Sequence, residues 1–131
     1  NYIPPFEASA DGGHLSWLWA RYQNIWGKDS PPWLLHLATT EFLRTGSIYD
    51  WGYQAAFKFE ADKVFPKVQC PTLFLSTQGD SLRNKNERSV ELTPNAEGRL
   101  IENPNGQFPA RDPEGFSREV LAFLTQVGYL T

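Results

Sequence analysis

Few side chains in this sequence can carry acid–base or nucleophilic chemistry. There are two histidines, His14 and His36, one cysteine, Cys70, and a scatter of carboxylates among which Asp80 stands in the most informative place. Asp80 closes the stretch Val68-Gln-Cys-Pro-Thr-Leu-Phe-Leu-Ser-Thr-Gln-Gly-Asp80, which reads as a buried strand that stops abruptly. Pro71 cannot donate to a ladder and suits the strand's entry, Thr72, Leu73, Phe74 and Leu75 form a short β-prone run, and Gly79 permits a turn. In open α/β sheets, ligands and catalytic groups gather beyond the carboxyl ends of the strands, so Asp80 is placed where a carboxylate can orient a base. The plainer role for an Asp at such a turn is to satisfy local backbone amides. His14, at the start of one helical pattern, and His36, inside another, have no carboxylate partner that spacing can name, so an ordinary imidazole is expected at both. With so few ligating groups a metal site has little support, no cofactor is expected, and Cys70 is assigned to strand packing.

The elements that must hold these residues divide into a helical half and a mixed half. Residues 1–13 carry Pro4, Pro5, Gly12 and Gly13 and read as an irregular entry. A helix is predicted from near His14, with Leu15, Leu18, Trp19, Tyr22 and Trp26 on one face and Gly27 as its stop. Ser30 as N-cap and Pro31 as first residue open a second helix, whose stripe is Leu34, Leu37, Ala38 and Phe42 and whose end is Gly46. A third follows Asp50, with Tyr53, Ala56 and Phe57 on one face. All five tryptophans, Trp17, Trp19, Trp26, Trp33 and Trp51, fall in this half. Core packing is the commoner use of such stripes, but their number makes Trp17, Trp19, Trp26 and Trp51 candidates for lining an apolar pocket.

Beyond the first strand, a short helix is predicted over 84–92, closed by Pro94, and a second strand over 99–102. Two strands joined through a helix imply a parallel pair. The run Asn103-Pro-Asn-Gly-Gln-Phe-Pro109 reads as a loop. A closing helix begins with Asp112 as cap and Pro113 in the first turn, carries Phe116, Val120, Phe123, Leu124 and Val127 on one face, and stops at Gly128. The fold class expected is therefore α/β: a helical region over 1–67, then a two-stranded parallel strand-helix-strand-helix piece over 68–131.

The 131 residues and their apolar content suffice for a real core. A net charge of −3 provides no basic stripe, so neither nucleic acid nor a membrane surface is an expected partner. The opening Asn1-Tyr-Ile-Pro-Pro5 has neither the basic nor the apolar region of a signal peptide, and a single cysteine suits a reducing, cytoplasmic compartment. The sequence has no methionine, which leads us to expect a chain that has been processed or cut.

Taken in order, these elements and motifs resemble the C-terminal half of an α/β-hydrolase. Cys70-Pro-Thr-Leu-Phe-Leu75 with Gly79-Asp80 is similar to the family's penultimate core strand and the acid-bearing turn behind it. Pro94-Asn-Ala-Glu-Gly-Arg-Leu-Ile-Glu102 is similar to the approach to the final strand. The run from Asn105 to Phe116 is similar to the loop that normally reads Gly-His, followed by Asp-Pro-Glu-x-Phe opening the last helix. The resemblance implies that Asp80 is the acid of a catalytic triad, that the aromatic helices are a lid, and that the parent acts on an ester, an epoxide or a similar small apolar substrate. Two departures qualify it. The nucleophile elbow Gly-x-Ser-x-Gly does not occur in these residues, and Gln107 stands at the histidine position, where an amide without a basic nitrogen cannot relay a proton. The chain alone is thus expected to be inactive, and a non-catalytic ligand-binding or interaction module derived from a hydrolase is the alternative. A two-stranded piece also needs something beside it, so either a separate N-terminal half or a second copy is the expected partner at the exposed strand edge.

Overall fold

The computed structural model describes residues 6–104 and 106–130. The chain divides between Phe59 and Glu60 into two compact units. The short turns Ala61–Val64 and Phe65–Lys67 accordingly fall with the second unit, whereas the sequence reading groups them with the helical half.

The first unit is helical. Helix α1 (Gly13–Trp26) is stopped by Gly27, whose φ of 98° only glycine adopts without strain. Helix α2 (Pro32–Thr45) follows, and a single turn Gly46–Ile48 leads towards α3 (Trp51–Lys58). The core lies where α1 meets α2: Leu18, Leu34, Leu35 and Phe42 are buried. Phe42 packs edge-on against Phe6 at 5.1 Å between ring centroids, and its ring lies tilted against Tyr49 at 4.0 Å. Two expectations are corrected here. Ser30 does not cap α2; Pro31 occupies the N-cap position, and the Ser30 hydroxyl donates to the Trp26 carbonyl at 3.1 Å, closing the end of α1 instead. The buried stripe of α2 runs through Leu35 and not Leu37, which is half exposed. In α3, Trp51, Tyr53 and Phe57 are exposed, and the Asp50 carboxylate accepts from the Gln54 amide at 2.6 Å rather than from a backbone N–H.

The second unit is mixed α/β. Strand β1 (Thr72–Thr77) pairs in parallel with β2 (Ala96–Ile101), in the register Thr72↔Ala96 through Thr77↔Ile101, and helix α5 (Asn86–Leu92) connects them. The turn Ala61–Val64 is α4. Strand alternation assigns Thr72, Phe74 and Ser76, with Ala96, Gly98 and Leu100, to one face. Helix α5 packs against part of that face, leaving Leu100 exposed: the Asn86 amide donates to the Ser76 hydroxyl at 2.7 Å, and a Cβ on Gly98 would come within 2.9 Å of a Val90 methyl. Helix α7 (Pro113–Gln126) covers the other. There Arg99 bonds the Glu119 carboxylate at 3.2 Å and the Gln126 side chain at 2.9 Å, and Gln126 returns a bond to Glu97 at 2.8 Å. Asp112 caps α7, its carboxylate accepting from the Gly115 N–H at 2.9 Å.

Three further differences have local causes. Strand β2 begins at Ala96 and ends at Ile101, earlier than 99–102, because Asn95 turns through a left-handed φ of 57° and delivers the chain directly into the ladder. A turn Arg83–Lys85 precedes α5, which starts at Asn86 and not Asn84. Cys70 lies ahead of β1 and is exposed, so it does not pack in the strand. Among the described residues no helix is long and apolar enough to cross a membrane.

Candidate functional site

The carboxyl ends of β1 and β2 carry two loops that are laced together. The Gln78 N–H donates to the Ile101 carbonyl and the Gly79 N–H to the Asn103 carbonyl, each at 3.2 Å, so the ladder continues past both strands. Gly106 then approaches so closely that a Cβ there would sit 3.4 Å from the Gly79 carbonyl oxygen. This contact brings the segment after β2 over the turn after β1, and it is the backbone reason that Asp80 and Gln107 meet.

Both line one cavity of about 210 Å3, together with Leu75, Ser76, Thr77, Phe108, Pro109 and Phe116, although Gln107 is itself exposed. Asp80 is half-buried; its carboxylate accepts from the Leu82 N–H at 2.8 Å, so it performs the local turn role as well as facing the cavity. Thr77 beside it is almost completely buried. On the opposite wall, Phe108 is buried and meets Phe116 edge-on at 5.9 Å.

Gln107 is held in an uncommon conformation. Its φ of 58° and ψ of 40° lie in the left-handed region, where a residue with a Cβ is strained by about 1–2 kcal/mol. Its carbonyl heads the single-turn helix α6 (Phe108–Arg111), accepting from the Ala110 and Arg111 N–H groups at 3.0 Å. Sequence reasoning reads this segment as loop, since Asn103 to Pro109 is dense with turn residues; the helical turn is set by Pro109 near its start and by tertiary packing of Phe108. Chemically, the lining residues include a carboxylate acceptor, Asp80, and an exposed glutamine whose amide can both donate and accept. The cavity can seat a water or a small polar group; it has no basic nitrogen to take a proton.

The histidines lie elsewhere. His14 belongs to a local cap: the Ser9 N–H donates to its Nδ1 at 3.1 Å, and its own N–H donates to the Ser9 hydroxyl at 3.2 Å. Nearby, the Gly13 N–H and the Ser9 hydroxyl hold the Asp11 carboxyl below its ordinary range. His36 is exposed on α2. Among the described residues no three His, Cys, Asp or Glu side chains gather as a metal site.

Of the four tryptophans nominated for a pocket, Trp26 lines one within the first unit. This second site is an open groove of about 280 Å3 bounded by Tyr22, Trp26, Glu41, Phe42, Tyr49 and Tyr53, with Ala38 and Thr45. Trp17 and Trp51 are exposed and Trp19 is half-buried, and none of the three lines it. The tyrosines are the residues that attention to tryptophan overlooks; their signal is the i, i+4 pairing of Tyr22 with Trp26 and of Tyr49 with Tyr53. Burial pushes the Tyr22 and Tyr49 hydroxyls above their ordinary value.

No protein-family model, curated protein or solved structure matches the chain. What the fold itself defines is a mixed α/β protein with a two-stranded parallel sheet.

Proposed function

We propose that the second unit is the C-terminal portion of an α/β-hydrolase-like protein whose parent acts on an ester, epoxide or similar small apolar substrate, and that this chain does not catalyse by itself. The observation that carries the proposal is the convergence of Asp80 and Gln107 on one cavity past the carboxyl ends of a parallel pair. The residues nominated as the acid and the base position of one triad lie 27 positions apart and are brought together by the pairing of the strands that precede them. In the parent, the nucleophile comes from outside these residues and Asp80 orients whatever base serves it. Gln107 favours a site that retains its shape after losing its proton relay, which makes a binding module derived from a hydrolase the second reading. The partner that completes the sheet, an N-terminal half or a second copy, lies along the edge of β1 away from β2, and a single cysteine suits a cytoplasmic setting.

The test is hydrolysis of a p-nitrophenyl ester by the purified chain. Background rates are expected, unchanged in Gln107→Ala. Robust turnover that disappears in His14→Ala or His36→Ala would overturn the assignment of the site to Asp80 and Gln107.

A further inference from the structure

The cavity of the first unit has a composition that the hydrolase reading does not use. Five aromatic residues, Tyr22, Trp26, Phe42, Tyr49 and Tyr53, line it together with Glu41, and aromatic rings carry a negative quadrupole on their faces. Tyr22 and Trp26 pair at 4.7 Å between ring centroids, while Tyr49 contacts both Tyr53 at 6.4 Å and Phe42 at 4.0 Å. Among the described residues lining the cavity, Glu41 is the one with a formal charge. Its partner Arg44, 2.9 Å away, is an exposed i, i+3 neighbour, the kind of ion pair that solvent weakens most. The Arg21 guanidinium lies over the Trp17 ring at 5.8 Å and does not line the cavity, although its charge reaches the Tyr22 and Tyr49 hydroxyls and partly opposes the effect of their burial.

We propose that this cavity binds a trimethylammonium group. Such a cation is large, weakly hydrated and unable to donate a hydrogen bond, so it is recognised by aromatic faces and a nearby carboxylate, both of which are present. At about 280 Å3 the space lies at the small end of ligand pockets and suits a head group better than an extended molecule. Desolvation of the Tyr22 and Tyr49 hydroxyls favours their neutral form, so the cage does not depend on phenolate charge. This inference stands independently of the hydrolase reading.

The experiment titrates the full chain with choline at constant ionic strength, following tryptophan fluorescence, alongside 3,3-dimethylbutanol, the neutral carbon isostere. Choline is expected to saturate, with the isostere roughly fivefold weaker or more. Tyr53→Leu, at an exposed position that keeps apolar bulk but loses the quadrupole, should weaken choline roughly three- to tenfold. Arg44→Ala, which frees Glu41, should tighten it. Circular dichroism melts check that both variants fold. Phosphatidylcholine vesicles separate the sources: cosedimentation blocked by choline points to a lipid head group, and its absence with choline binding intact points to a free small molecule, either being the proposed chemistry. Equal affinity for the isostere, or no saturable response to choline, would overturn it.

Discussion

At the scale of single residues, the two that define the site differ in how visible they are. Asp80 is legible because Gly79-Asp80 follows a run of β-formers, and its side chain does bond a local backbone amide as any turn Asp would. Gln107 is legible only as a departure from a resembled motif. Its left-handed backbone, which sets where the amide lies, has no signature in the residue type, because glutamine lacks the short side chain that lets asparagine tolerate that region. The network on the α7 side of the sheet was also hidden, since nothing in sequence spacing joins Glu97, Arg99, Glu119 and Gln126. It carries a pH-dependent contribution. Hydrogen bonds from Arg99 first, then from Gln126, hold the Glu97 carboxyl below its ordinary value of 4.5. A depressed folded-state value means that the stabilisation is complete above the ordinary value and is lost as pH falls through the lowered one. The melting temperature of Glu97→Gln should therefore fall short of the parent's at neutral pH and converge with it on acidification. A gap that persists unchanged at the acid end would count against the network.

At the scale of elements, helices with strong punctuation were the most readable. The closing helix announces itself with Asp112, Pro113 and Gly128, and the structure uses the first two as cap and first turn. The second strand was harder, because Pro94-Asn-Ala-Glu-Gly looks like loop until Asn95 is seen to reverse the chain within one residue and Gly98 to lie inside the ladder. Gly98 is there for packing. An added methyl would meet a Val90 methyl at 2.9 Å, closer than real contacts allow, so a side chain at position 98 requires Val90 or helix α5 to shift. Gly98→Ala should destabilise the protein by about 1–3 kcal/mol in denaturant melts. Adding Val90→Ala removes the obstructing methyl, so the double variant should be more stable than the sum of the two single effects. Strict additivity would show that α5 is not seated on Gly98.

At the scale of the whole molecule, the sheet is unfinished among the described residues. The N–H groups of Thr72 and Gln78 point into the pairing with β2, so by alternation those of Leu73 and Leu75 point to the other edge of β1. An edge of this kind is a template for another strand. Sedimentation velocity should reveal concentration-dependent self-association, or an apolar dye should bind the exposed edge; a single monomeric species that melts cooperatively and binds no such dye would contradict the edge as a partner surface. The claim on which the functional reading rests is narrower: Asp80 faces the position of Gln107 across one cavity. It is tested by placing an imidazole there with Gln107→His and following its ring protons by NMR through a pH titration. A free histidine titrates near about 6.5, and a facing carboxylate stabilises the protonated form. The expected result is a midpoint above 7 that returns to the ordinary value when Asp80→Asn is added. A midpoint that ignores the identity of residue 80 would show that the two positions do not form a site.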